Sequence, residues 1–323
     1  MSPVDLAVGL GGVAMVLYAV LGGADFGGGV WDLLATGPRA EAQRAAITDA
    51  IGPVWESNHV WLIYVIVLSF TCFPAAYADL AVGLYAPLSF ALVGIVLRGA
   101  AFVFRNYATS SPALVRSWQA VFGVASLAAP FFLGDAIGAL ATGTYAWRSP
   151  FALAVGLFAV VACAQTAAVF ILHEIADADV RADFRRRAVR ATVAVWLAGL
   201  LPLAAAAAGQ RDVFRTLGGH AGYLAFAVAL LAGIVVIVAV LRRNDLAARV
   251  AVAIESAAIL GGWFGAQAPD LVPGRFTFAG AAASDAMIVD FIVATGAGFV
   301  VLIPSLVLLF RVFKAAPLPE GRS

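Results

Sequence analysis

The chain has 323 residues, 63% hydrophobic and 12% charged, with a mean hydropathy of +0.97 and a formal net charge of +1. Soluble domains are about half apolar and a quarter charged, so this composition excludes a soluble enzyme and predicts an all-α polytopic membrane protein. The near-zero charge balance identifies no partner, and nothing in the composition points to nucleic acid.

With ~20 residues needed to cross the hydrocarbon, nine spans are expected in one membrane domain, at 6–31, 54–75, 80–104, 118–141, 150–172, 189–208, 221–241, 250–267 and 286–310. The N-terminus lacks a basic n-region, so the first of them reads as a span that stays. Fifteen arginines and lysines follow the odd-numbered spans and four follow the even-numbered ones. The bias of basic residues toward the cytoplasm then puts the N-terminus outside and the C-terminus inside. The connections leave no room for a soluble nucleotide-binding domain, and no phosphate-binding glycine motif is present.

The first span ends in Gly22-Gly23-Ala24-Asp25-Phe26-Gly27-Gly28-Gly29. In a membrane such glycines let another backbone approach closely. Asp25, Gly28, Gly29 and Asp32 share one helical face, which sets two carboxyls ~10 Å apart along a groove. Residues 38–50 have helix-forming composition, with Thr36 available as a cap, and are expected to lie along the cytoplasmic interface. The second span then opens Ile51-Gly52-Pro53-Val54-Trp55-Glu56-Ser57-Asn58-His59-Val60-Trp61-Leu62. Its polar face carries Trp55, Glu56, Asn58, His59 and Trp61, and an ionisable residue inside a span seldom serves packing alone.

Arg98 lies in the third span and Glu255 in the eighth. Counting 1.5 Å per residue from the cytoplasmic ends puts Asp25, His59 and Arg98 ~9 Å deep, Glu255 ~8 Å and Glu56 ~5 Å. These five form one expected layer of proton-path candidates, with Arg98 as counter-ion to one of the acids. Gly27, Gly28 and Gly29, with Trp55, Asn58 and Trp61, are expected to face a partner or a cavity. The charged stretch 173–190 reads as a solvated extension of the fifth and sixth spans. Cys72 and Cys163 read as buried free thiols, and no metal-ligand spacing is present. Of three histidines only His59 lies inside a span, which argues against haem ligation, since multi-haem subunits need several axial ligands.

These motifs carry a resemblance. Gly23 to Gly29 resembles the glycine-rich G-x-D-x-G-x-G of the first helix of subunit II of cytochrome bd-type quinol oxidases, cyanide-insensitive members included. Ile51 to Leu62 resembles that family's I-x-P-x-W-[DE]-x-N-x-V-W-L, Arg98 with Phe102 resembles its R-x-x-x-F, and Ile303 to Lys314 is similar to its last helix. The resemblance implies a haem-free subunit of a bacterial or archaeal cytoplasmic membrane complex. It pairs with a subunit I that carries b- and d-type haems, oxidises quinol and reduces O2 to water. Small accessory subunits, contact with lipid and a structural quinone are also implied, and this subunit would contribute assembly and cytoplasmic proton and O2 access. One departure is Val103, where many relatives have an acid. The rival readings are a stand-alone secondary transporter and a purely structural scaffold.

Overall fold

The computed structural model describes residues 2–107 and 111–314, with the backbone alone for 51–56 and several other helical positions. The first helix, α1 (Pro3–Leu33), starts on a reciprocal cap. Asp5 N donates to the Ser2 hydroxyl at 3.1 Å, Ser2 N donates to the Asp5 carboxylate at 2.8 Å, and Pro3 occupies the first helical position. Both side chains satisfy donors that a helix start leaves open.

Helix α2 (Ala40–Cys72) is continuous over 33 residues. Its first turns, expected along the cytoplasmic interface, continue directly into the span and dock on the chain itself. The reason is local: Arg39 and Gln43 bind the Asp183 carboxylate at 2.8 and 2.9 Å, and Ile47 is fully buried. Pro74 then breaks the path, since the residue before a proline is pushed toward extended backbone, and Phe73 sits at φ −134°, ψ 55°. The short α3 (Pro74–Gly83) turns away by 120°. The third span therefore begins at Tyr85, five residues later than expected, as α4 (Tyr85–Tyr107).

The remaining elements are α5 (Pro112–Ala141), α6 (Pro150–Leu172), α7 (Ala178–Gly209), α8 (Arg211–Leu217), α9 (His220–Leu241) and α10 (Asp245–Gln267). A two-strand antiparallel hairpin, β1 (Asp270–Val272) and β2 (Phe276–Thr277), follows with α11 (Phe278–Ala281) and α12 (Asp285–Lys314). Among the described residues eight helices are long and apolar enough to cross a membrane, and nine if the bent pair 57–72 and 74–83 counts as one span.

Helix α1 is the hub and packs on α2, α5 and α6, while α4 packs on α5, α6 on α7, and α9 on α10. Helix α12 leans mainly on α2 and α1, and its Phe291, Thr295 and Phe299 meet Trp61 and Tyr64 of α2. The first turns of α7 are not the solvated extension expected from their charge. Val180, Phe184 and Ala188 are buried with Ile47 in one core, because Asp183 gathers Arg39, Gln43 and Arg186 around it and turns the apolar side inward. At the other end of the bundle Asp79 accepts from Tyr145 and Arg275, tying α3, the α5–α6 connection and the hairpin together.

Candidate functional site

Close approach of helices makes the site. A Cβ on Gly27 would stand 1.9 Å from the Cys163 carbonyl oxygen of α6, and one on Gly29 would stand 2.0 Å from Ser126 Oγ of α5. Gly27, Gly28 and Gly29 are buried inside the chain, where the missing side chains let α1 sink between α5 and α6, the close helix approach expected of them. Trp31 fixes the depth of that contact, its indole N–H donating to the Ala164 carbonyl at 2.7 Å.

One turn from Gly29, on the same side of α1, lies Asp25, with no exposed surface. Arg98 Nη2 donates to its Oδ1 at 2.6 Å and to its backbone carbonyl at 3.0 Å, and Arg98 Nε donates to Ser126 Oγ at 3.0 Å. Asn58 Nδ2 donates to the other carboxylate oxygen at 2.8 Å. The Arg98 guanidinium also lies over Phe26 and Phe122, 5.5 and 4.9 Å from their ring centres. His59 is half-buried and within electrostatic reach of Asp25. A buried charge pair is tolerable only when its remaining donors and acceptors are met, and here four helices supply them.

Seven residues further along both helices the pattern recurs. Asp32 on α1 accepts from Arg105 on α4 at 3.3 Å and from Gln119 on α5 at 3.5 Å, and Arg105 also donates to Thr48 at 2.9 Å. Phe122 fills the layer between, with the Arg105 guanidinium 4.3 Å from its ring centre on the way to Arg98. Sequence reasoning put Asp32 on the Asp25 face but counted Arg105 among the cytoplasmic arginines. The missed signal is that 25/32 and 98/105 share a seven-residue offset on two helices expected to run in one direction. Val103 is 40% exposed on α4.

Not all of the expected layer meets. Asp25, Asn58, His59 and Arg98 come together, and Arg98 pairs with Asp25. The side chains of Trp55 and Glu56 lie outside the described residues. Trp61 packs on Phe299, 6.1 Å between ring centres, so α12 of the chain itself supplies its neighbour. Glu255 joins a different group: Gln165 of α6 donates to it at 2.7 Å, away from α1. Asp135 on α5 was missed altogether. It is fully buried, and neither carboxylate oxygen has a partner among the described residues. A lone acid in the apolar run 118–141 was the available signal. Among the described residues no group of three or more His, Cys, Asp and Glu side chains is placed to hold a metal ion.

A family model described as cytochrome bd terminal oxidase subunit II matches residues 4–313. The chain is 30% identical over 227 residues to the cytochrome bd ubiquinol oxidase subunit 2 of Bacillus subtilis, an alignment spanning 66% of this chain and 65% of that one. It is 28% identical over 132 residues to the cytochrome bd-I ubiquinol oxidase subunit 2 of Escherichia coli, covering 41% of this chain and 34% of that one. Its fold is similar to a chain in the structure of bd oxidase from Geobacillus thermodenitrificans, with a TM-score of 0.81, 21% identity, and 98% and 100% of the two chains covered.

Proposed function

The chain belongs to the cytochrome bd terminal oxidase subunit II family, and from that premise we propose that it is the haem-free half of a bd-type terminal oxidase in a bacterial cytoplasmic membrane. Its partner is a haem-bearing subunit I, and the complex couples quinol oxidation to the four-electron reduction of O2 to water. Family membership over residues 4–313 carries this reading. The donor set agrees with it. His59 is the one histidine within the expected spans, it lies within electrostatic reach of the Asp25 carboxylate, and the several axial ligands of a multi-haem subunit are therefore not offered by histidines of those spans. These residues do not fit a haem, so no step runs through one in this chain.

Within the complex, Asp25, Asn58, His59 and Arg98 are the residues assigned to cytoplasmic proton access, with Glu56 at the entry. Reduction of O2 to water consumes protons, and a carboxyl and an imidazole can relay them when their environment permits both protonation states. The tight Asp25–Arg98 contact at 2.6 Å favours a second role for the same residues, a fixed pair that holds α1, α4 and α5 in register. An apolar groove of about 550 Å³ between α1 and α10, lined by Val8, Gly12, Val16, Gly261, Phe264 and Phe278, supports lodging of a quinone or lipid chain, or passage of O2.

Affinity purification of this chain from native membranes tests the main reading. A haem-bearing membrane protein should co-purify, show reduced-minus-oxidised haem bands and drive quinol-dependent oxygen consumption. Recovery of the chain without such a partner or activity would overturn it.

A further inference from the structure

Four helices away from the Asp25 cluster enclose a second acid. Glu255 of α10 is 2% exposed, Gln165 of α6 is 2% exposed and Thr192 of α7 is fully buried. Gln165 Nε2 donates to Glu255 Oε2 at 2.7 Å and to Thr192 Oγ1 at 3.2 Å, and the Thr192 hydroxyl donates onward to the Ala188 carbonyl at 2.9 Å. On the fourth side Gly233 of α9 leaves a space. A Cβ there would meet Trp196 Nε1 at 2.7 Å and Glu255 Oε1 at 3.0 Å, so the indole N–H and the second carboxyl oxygen both close on the bare Gly233 backbone. That indole N–H is buried and has no aligned acceptor.

The group lacks a cation. Among the described residues no arginine, lysine or histidine pairs with Glu255. The nearest arginine along its own helix, Arg249, is held by the Phe170 carbonyl and the Glu174 carboxylate. Nor do the neighbours suit a metal ion, because the groups that α6 and α7 turn toward the carboxyl are N–H donors and no cluster of ligating side chains is present among the described residues. A lone buried carboxylate is costly, and neutral hydrogen bonds offset only part of that cost. The remaining cation that one carboxyl can take up unaided is a proton.

We propose that Glu255 is a proton-exchange site, separate from the Asp25 cluster, in which the Gln165 amide turns over to serve both states of the carboxyl. With Glu255 ionised, Gln165 Nε2 donates to it, as observed. With Glu255 carrying the proton, a half-turn of the amide puts Gln165 Oε1 at the same place, where it accepts from the carboxyl O–H. An amide is the side chain suited to this task, because it presents a donor and an acceptor at nearly the same position. The Trp196 indole N–H lies on the side of the other carboxyl oxygen in either state. Gln165 acts here as a positioning residue.

The proposal rests on the oxidase reading only for the preparation in which it is measured. The test is pH-induced infrared difference spectroscopy on the assembled oxidase, a readout that needs no turnover. Wild type should show a protonated-carboxyl C=O band that titrates. Glu255→Gln, which mimics the neutral acid, should assemble with unchanged haem content and lack that band. Gln165→Leu should keep the band but shift its frequency, because the O–H loses its acceptor. A Glu255→Gln spectrum identical to wild type would overturn the site, as would failure of that variant to assemble, since an ionised carboxylate would then be indispensable. An unshifted band in Gln165→Leu would overturn the part given to the amide.

Discussion

Breaking the Asp25–Arg98 pair separates the two roles given to it. Both side chains are buried, at 0% and 2% exposure, and the contact is 2.6 Å. Arg98→Met removes the bonds to Asp25 Oδ1, to the Asp25 carbonyl and to Ser126, and leaves the carboxylate with Asn58 as its hydrogen-bond donor. Asp25→Asn leaves a guanidinium without its counter-charge. Removing one member of a buried pair costs about 3–5 kcal/mol, which is roughly two to four powers of ten in the folded ratio. The double variant Asp25→Asn/Arg98→Met buries no unpaired charge, so its loss should fall short of the sum by up to about 3 kcal/mol. The assay is the yield and thermal midpoint of the co-purified complex, followed by oxygen consumption per haem. Both single variants should assemble poorly and the double variant should recover most of the complex. Oxygen consumption by that recovered complex then decides: a proton role requires it to stay low, and a purely static pair requires it to return to wild type. Strict additivity of the two single losses would refute the reasoning, because it would mean the pair is not coupled.

Three further outcomes follow from the same contacts. Gly27→Ala should abolish assembly, because its Cβ would lie 1.9 Å from a backbone oxygen, whereas Gly12→Ala, with nothing within 4 Å, should give wild-type yield in membranes. Equal yields would mean that α1 and α6 are not in contact at Gly27. Expressed without its partner, the chain should purify without Soret absorption, and a stoichiometric b-type spectrum would contradict the donor count. Tyr145→Phe removes the bond to Asp79 and should lower the thermal midpoint by the equivalent of about 1 kcal/mol, the exposure of the site reducing the effect. Burial, then the Asp79 bond, raise the Tyr145 phenol above its ordinary 10.0, so its contribution is complete below 10.0 and fades only as pH rises toward the folded value. The gap between variant and wild type should therefore hold constant from neutrality to pH 10.0; closure below that pH would contradict the assignment.

The sequence makes the apolar spans and the glycine face of α1 readable, because length and a 3.6-residue period are one-dimensional properties. Depth is one-dimensional too, and that is where the expected layer went astray. Glu255 and Asp25 can share a depth estimate and still stand on opposite sides of α6, since azimuth around the bundle depends on which helices neighbour which. The same limit hid the partner of Asp32. A count of cytoplasmic arginines cannot tell Arg105, which reaches back to Asp32, from those that stay at the surface. The bend after Cys72 was within reach of sequence reasoning, because Pro74 marks it, but an unbroken apolar run drew attention away from it. The charged start of α7 misled for a different reason. Its arginines look solvated until Arg39 and Gln43, about 140 residues earlier in the chain, are known to meet Asp183.

The buried acids of the bundle sort into two kinds, and the sorting has a physical basis. Asp25 and Asp32 each stand 73 residues before an arginine that reaches them, Arg98 and Arg105. Both guanidinia lie against Phe122, so an aromatic face supplies attraction where water is excluded. A repeat of seven on parallel helices keeps both rungs in line only while α1 and α4 hold a fixed register. The two pairs therefore specify one relative position of helices that otherwise present smooth apolar surface to each other's neighbours. Glu255 and Asp135 have no such cation among the described residues, and registration cannot be their purpose. The ionic rungs thus hold the frame, whatever further part Asp25 plays, and Glu255 and Asp135 stand within it without a paired cation among the described residues.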